Sequence, residues 1–395
     1  MRKIPRNVFC LGVVSFLTDL SSEMILPVIL PLFMRAQGIA LPAIGLIEGV
    51  AESSSSLLKL GSGWLSDRVR HRKALVGVGY GLSTVVKPVF AFAGVWWHFL
   101  TIRFVERMGK GVRTAPRDAL LAASVTQDTR GGAFGFHRAM DTAGAFFGLL
   151  SALVLVWVLK LEPEGFRPLF WIAFVPAALA VLVIVFFVRE VPPPPAPDGE
   201  ERRVRGPLSA RFKAYLLVTG LFTLGNSSDA FLALRAEGLG LSTLRILLLM
   251  LAMNAVYAGL ATHLGRLSDR IGRTRMLATS FLVYAAVYAG LAFAGAGWML
   301  WPLFVVYGLY YAMAEGSFRA IVADLVPEHL RGYGYGLFHM VVGVVAVPSS
   351  VIMGWLWKAV GVEYAFSFGA VMALAAMILM LALVARPHAS GLDQA

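Results

Sequence analysis

The sequence has little charge and almost no cysteine. Charged residues make up 15% of its 395 residues, hydrophobic residues make up 58%, and the mean hydropathy is +0.73. A folded protein of this composition would expose a continuous apolar surface to water, which excludes a soluble globular protein. The single cysteine, Cys10, excludes an internal disulfide. One cysteine and seven histidines also leave few of the ligands that bind transition metals.

Apolar runs of about 20 residues recur along the whole chain, and a run of that length crosses the hydrocarbon core of a bilayer as an α-helix. We therefore predict an all-α membrane protein with twelve spans. The predicted spans are roughly 8–34, 42–66, 74–95, 96–120, 131–159, 167–189, 212–236, 242–264, 275–296, 298–323, 332–358 and 362–385. The first run is too long for a signal peptide and lacks a small-residue cleavage pattern, so we expect it to remain as the first span.

The net charge of +12 comes from basic residues dispersed over the loops. If both termini are cytoplasmic, most loop lysines and arginines lie on the cytoplasmic side, as the positive-inside rule requires. We therefore expect a multi-pass protein of the inner (cytoplasmic) membrane with both termini in the cytoplasm. Because the basic residues form no soluble basic domain, we expect the lipid bilayer and not nucleic acid as the partner.

One loop segment occurs twice. Residues 63–68 read GWLSDR and residues 265–270 read GRLSDR, an offset of 265 − 63 = 202 residues. Arg117 and Arg319 share this offset, and each copy of the segment lies where an apolar run ends. Many secondary transporters are built from duplicated membrane halves, with the substrate site between them.

A proline-rich, charged segment separates the two halves. Residues 190–208 read EVPPPPAPDGEERRVRGPL, and four successive prolines favour an extended, solvated chain. We predict an N-terminal six-helix bundle at 1–189, a cytoplasmic linker at 190–210 and a C-terminal six-helix bundle at 211–395.

The repeated segment, the half-way linker and the twelve spans resemble the major facilitator superfamily over essentially the whole chain. The resemblance implies two pseudo-symmetric six-helix bundles around a central cavity, with no enzymatic activity and no cofactor. TDLSSE at 18–23 and RMGKGVRTAPRD at 107–118 look like a poorly assigned prokaryotic branch near the drug-efflux members. Fold alone does not identify the substrate.

The resemblance also implies an ionic latch on the cytoplasmic side in the outward-facing state. It pairs Asp67 with Arg117 and Asp269 with Arg319, and both pairs are 50 residues apart (117 − 67 and 319 − 269). These pairs would break as the two halves rock. The alternative is that the neighbouring basic residues serve only as positive-inside anchors. The predicted gating residues are Asp67, Arg68, Arg117, Asp269, Arg270 and Arg319.

Three stripes of charge lie inside the N-terminal spans, where a charged side chain is costly unless it pairs or faces a cavity. The stripes follow helical spacing, so each falls on one side of its helix. We expect them to surround one water-filled cavity. They comprise Asp19 and Glu23 in the first span, Glu48, Glu52 and Lys59 in the second, and Arg103, Glu106, Arg107, Lys110, Arg113 and Arg117 in the fourth.

The first and fourth helices line the central cavity in the family, so Asp19, Glu23, Arg103 and Arg107 are the leading site candidates. A carboxylate whose arginine partner moves away would take up and release protons during a transport cycle. The alternative is a static ion-pair lattice. The predicted residues for substrate binding or proton coupling are Asp19, Glu23, Glu48, Glu52, Arg103, Arg107, Asp229, Glu315 and Tyr311.

Three further polar residues have no assigned role. His137 and Asp141 are one turn apart in the fifth span, and a local hydrogen-bonded cluster is favoured there over a proton relay. Lys87 in the third span either reaches a carboxylate or snorkels to the membrane surface.

We expect a monomeric secondary active transporter that works by alternating access. The favoured activity is proton-coupled export, by antiport, of small amphipathic organic molecules. One alternative is transport of organic or inorganic anions (siderophore-like, carboxylate or phosphate) along the basic stripe of the fourth span. Metal-ion export is another, and a non-transporting membrane receptor is the least favoured.

Overall fold

The computed structural model describes residues 5–68, 71–126, 129–191, 208–327 and 330–384. Within these ranges the chain is almost entirely helical and contains no β-strand. The predicted all-α fold is confirmed.

The helices form twelve spans. In chain order within the described ranges they are α1 Arg6–Ile25, α2 Ile29–Ala36, α3 Leu41–Arg68, α4 Arg72–Val85, α5 Trp96–Ala123, α6 Arg130–Leu159, α7 Arg167–Phe187, α8 Ala210–Gly225, α9 Ala230–Gly238, α10 Thr243–Ile271, α11 Arg273–Phe293, α12 Leu300–Leu325, α13 Arg331–Ala359 and α14 Val362–Leu379. The pairs α1–α2 and α8–α9 each form one broken span, which gives the twelve predicted.

Ten spans of the described chain are long and apolar enough by themselves to cross a membrane. The two others are α3 and α5, which carry the charged stripes of the second and fourth predicted spans. Helix α3 packs against both α5 and α13, and α5 packs against α4 as well. Neighbouring helices therefore shield much of the polar surface of α3 and α5 from lipid, as intramembrane charge requires.

Each half packs mainly within itself, and three pairs of helices make the most extensive contacts between the halves. These contacts join α3 to α13, α6 to α10, and α2 to α9. The predicted domain boundaries remain a prediction, and most of the linker at 190–210 lies outside the described residues. Since the spans alternate in direction, both GxLSDR segments lie at the same end of the bundle. We call this end the signature face and the opposite end the far face.

Close helix packing closes the far face. A Cβ added at Gly49 of α3 would lie 2.9 Å from the Cα of Val347 on α13, and one at Gly45 would collide with the backbone of Ser350. Glycine is required at such positions because a larger residue would separate the two helices. Beside this contact, α2 and α9 pack against each other through buried apolar side chains.

Candidate functional site

A cavity of about 390 Å³ lies between the two halves. Its walls come from α1, α3 and α5 on one side and from α8, α9, α12 and α13 on the other. Both broken spans reach it, through Leu26 and Pro27 in the first half and through Asn226–Ala230 in the second. Pro27 has no N–H to continue the helical bonding, which favours a break there. Broken helices at mid-membrane commonly form transporter binding sites.

Arg103 lies at the centre of a buried ionic cluster in the N-terminal half. Its Nε and Nη2 donate to the two carboxylate oxygens of Glu48 at 3.0 and 2.9 Å. Its Nη1 donates to Glu106 Oε2 at 2.8 Å. Each of the three side chains is at least 93% buried, so the cluster is shielded from solvent. We call Glu48, Arg103 and Glu106 the Arg103 cluster.

Asp19 and Glu23 face the same cavity but remain outside that cluster. They are one turn apart on α1 and half-buried, and neither forms a hydrogen bond or ion pair with another described side chain. The cations that act most strongly on Glu23 are Lys110 and then Arg107, both of which line the cavity. This is a pair of acids with cations near them but none in direct contact.

Glu52 also differs from its neighbour Glu48. It lines the cavity and its side chain is exposed, although it lies closer in sequence to the far end of α3 than to the signature end. Since the far face is closed, water reaches this depth from the signature face. Arg107 contacts the edge of the Arg103 cluster, with its Nε 3.5 Å from Glu106.

The C-terminal half contributes one carboxylate to the cavity, Asp229, within the described residues. It lies directly before α9 and accepts hydrogen bonds from the hydroxyls of Tyr307 at 3.0 Å and Tyr311 at 2.7 Å. The two halves touch beside it, because Ser228 Oγ donates to Glu48 Oε2 at 3.5 Å. The Arg103 cluster is thereby connected to the break between α8 and α9.

Glu315 does not line the cavity, although the sequence suggested a coupling role. Arg138 of α6 binds Glu315 of α12 and also donates to the Tyr257 hydroxyl of α10 at 2.6 Å. The bridge joins the two halves, and the side chain of Arg138 is half exposed. Arg319 lies 3.3 Å from the same carboxylate. The bridge connects the halves, and the coupling role of Glu315 stays a prediction.

The predicted latch pair Asp269–Arg319 is not formed in this structure. Asp269 binds Arg273 at 3.1 Å, and Arg273 also binds Asp324 at 2.6 Å. The latch was predicted for the opposite conformation, so its role stays a prediction. Arg270 is exposed.

In the first half Arg117 binds its neighbour Asp118 at 2.8 Å. The side chains of Asp67 and Arg68 lie outside the described residues, so the predicted pair Asp67–Arg117 stays a prediction as well.

Lys87 neither pairs with a carboxylate nor snorkels, which corrects both interpretations of the sequence. It is 1% exposed, and its Nζ donates to the hydroxyls of Ser21 and, at 3.1 Å, of Ser22 on α1. The i, i+4 spacing of charges gave no indication of these serine partners. Lys59 is half-buried on α3.

His137 and Asp141 form a local cluster with α1. Their side chains are 3.6 Å apart, and the Ser15 hydroxyl donates to Asp141. The structure brings these residues together, and the choice between a local cluster and a proton relay stays a prediction.

A scan with family models matches the Major Facilitator Superfamily at residues 11–350 and 217–394. The chain belongs to the major facilitator superfamily. It is 38% identical over 386 residues to an uncharacterised MFS-type transporter of Methanocaldococcus jannaschii, covering 96% of this chain and 95% of that protein. It is 26% identical to a multi-drug resistance efflux pump PmrA homologue of Lactococcus lactis, over 89% of each chain.

A solved structure shows the same fold. The crystal structure of a bacterial homologue of the human lysosomal transporter Spinster, inward-facing and unoccupied, superimposes with a TM-score of 0.74. The match covers 96% of this chain and 95% of the other, at 15% identity. The protein is thus a multi-pass membrane transporter of this superfamily, with a charged cavity between its two halves.

Proposed function

We propose that the protein is a monomeric proton-coupled antiporter of the inner membrane that exports small amphipathic organic molecules, with both termini in the cytoplasm. The observation that supports this most directly is the Asp19–Glu23 pair, which faces the cavity without a direct partner among the described side chains. Carboxylates in that position can exchange protons with water, whereas those of the Arg103 cluster are held by ion pairs.

The net charge of the cavity can couple the movement of protons to the movement of substrate. Its lining contains six carboxylates and four cations, a sum of 4 − 6 = −2 when all are ionised. Closing a cavity with uncompensated charge in a low-dielectric interior is costly. The halves therefore close readily only when protons or a substrate reduce the negative charge. A transporter whose cavity closes around protons or around substrate, but does not close while it is empty, exchanges the two and is an antiporter.

The relatives support the export direction. Several proteins that are 26–27% identical to this chain are named multidrug resistance proteins or efflux pumps. Export would also explain a cavity that is open to the signature face, because the substrate would enter from the cytoplasm.

The other functions have weaker support. An anion would meet Lys110 and Arg107 but also the carboxylate excess of the cavity. For metal export, the described part of the chain holds no group of three or more His, Cys, Asp or Glu side chains arranged to bind a metal ion. A receptor that does not transport would not need proton-exchanging carboxylates in a cavity between two halves.

Proton flux in liposomes tests the proposal. Purified protein would be reconstituted with an internal pH dye and exposed to cationic, neutral and anionic organic solutes. We expect solute-dependent proton flux in the wild type that Asp19→Asn and Glu23→Gln each abolish. Glu363→Gln is the matched control, because Glu363 is exposed at the start of α14 and lies outside the cavity lining. Solute movement without proton movement in the wild type would refute proton coupling.

A further inference from the structure

We infer that the transported molecule carries a positively charged nitrogen, and that Asp229 binds this group with the help of Tyr311. The inference rests on the proposed transport function and specifies its substrate class as protonated amines, quaternary ammonium compounds or guanidinium compounds. It also separates two tasks: the C-terminal half binds the organic cation, and the Asp19–Glu23 pair of the N-terminal half carries the protons.

Asp229 is a carboxylate without a counter-ion among the described residues. Each of its oxygens accepts one hydrogen bond, from Tyr307 or from Tyr311. An ionised carboxylate has about four lone-pair sites, so both oxygens can accept further bonds from a ligand. The two hydroxyls hold the carboxylate in place, but they add no positive charge. Because Asp229 lines the cavity, a ligand there can reach it.

The surrounding charges make this part of the cavity attractive to a cation. The charged groups that act most strongly on Asp229 are Glu52 and then Glu48, both carboxylates of the opposite half. The nearest arginine network is already engaged, since Arg103 binds Glu48 and Glu106. Lys110 and Arg107 act on Glu23 and also on Glu52, whereas no cation is among the groups that act most strongly on Asp229. The deficit of positive charge thus lies at Asp229 itself.

The neighbouring groups suit an organic ammonium better than a bare metal ion. Tyr311 lies between two other aromatic rings, with centroid distances of 5.2 Å to Tyr307 and 6.1 Å to Tyr257. Aromatic faces attract alkylammonium and guanidinium groups, which are weakly hydrated. Ser227 also lines the cavity and is 6% exposed. It can bond to a polar group of the ligand.

This placement explains how a substrate could act on both halves at once. A cation on Asp229 would lie at the break between α8 and α9, and it would face Glu52 of α3. By offsetting negative charge from opposite walls it would favour their approach. When the empty transporter returns, protons on Asp19 and Glu23 would offset the same excess of negative charge. Protons and the organic cation would therefore compete.

Ligand binding to the purified full-length protein in detergent tests the inference without requiring transport. The probes are two cations, benzyltrimethylammonium and benzylguanidinium, with benzyl alcohol as the neutral analogue and benzoate as the anion. Binding of each probe is measured by thermal shift and by calorimetry. We expect binding of at least one cation that weakens about tenfold or more in Asp229→Asn, since the cation then loses its attraction to the negative charge of the carboxylate. Tyr311→Phe should weaken it less, and Glu363→Gln, which lies outside the cavity lining, should leave it within about threefold.

Three outcomes would overturn the inference. They are binding of benzoate or benzyl alcohol with no cation bound, cation binding that is unchanged in Asp229→Asn, and no binding of either cation. Tyr311→Phe keeps the test valid if Asp229→Asn fails to fold, because it must then weaken cation binding by itself. Cation binding that depends on Asp229 without proton flux in liposomes would refute proton coupling alone. Proton-coupled flux of anions would refute the cation site alone.

Discussion

Glu48 and Glu52 are one helical turn apart on α3, yet their surroundings differ. Glu48 is buried and forms two hydrogen bonds with Arg103, whereas Glu52 is exposed to the cavity. Removing one partner from a buried ion pair leaves an uncompensated charge, which costs about 3–5 kcal/mol. An exposed carboxylate has no comparable effect because water solvates it. The same substitution therefore has different consequences at the two positions.

We predict that Glu48→Gln lowers the free energy of unfolding by about 3 kcal/mol. The matched control Glu52→Gln should change it by less than about 1 kcal/mol. Unfolding of the purified proteins in the same detergent, followed by circular dichroism against temperature and denaturant, measures both. Equal stability of the two variants would show that the Arg103 cluster does not stabilise the fold.

At the scale of helices, the contact between α3 and α13 controls the far face. Gly45 and Gly49 bring the two backbones together where any side chain would collide. A Cβ added at Gly61 of the same helix would have no contact within 4 Å among the described residues, apart from its own helix backbone. If the halves rock, this contact must form and break in every cycle. A bulky residue at Gly45 would oppose the conformation seen here, and one at Gly61 would not.

We predict that Gly45→Val abolishes transport because the far face can no longer close. Overpacking at this position should also cost about 1–3 kcal/mol of stability. Gly61→Val is the control and should retain transport, since no described residue crowds the site and valine has a higher helix propensity than glycine. Solute flux and thermal unfolding of both variants give the result. Transport by Gly45→Val at the wild-type rate would mean that this helix contact need not form.

Sequence reasoning succeeded within single helices and failed between helices. The i, i+4 spacing placed Asp19 and Glu23 on one side of α1, and both do line the cavity. The spacing did not identify the partner of Arg103, because several carboxylates on three helices were equally plausible. Arg138 and Glu315 are 177 residues apart and lie on opposite halves. One sequence contains no spacing that connects them.

For the whole molecule, twelve spans and the superfamily were predictable. The length of each apolar run and the repeated loop segment can both be read directly from the order of residues along the chain. The break before Asp229 was not predicted, although Ser227-Ser228-Asp229 resembles Ser21-Ser22-Glu23 in the first half. Both triplets reach the cavity, through Ser22 and Glu23 in one half and through all three residues in the other. The closed far face was not predictable, since the direction of opening depends on a balance between two packings of the same helices.

Transport of this kind requires that one cavity be reached alternately from the two faces. Cys10 is the only cysteine, so a Cys10→Ser background allows one new thiol at Asn226→Cys, which lines the cavity. A membrane-impermeant maleimide would be applied to each side of oriented vesicles. We predict labelling from both faces. It should be faster from the signature face without substrate, and substrate should change the ratio of the two rates. Labelling from one face only, with and without substrate and at every pH, would contradict this prediction.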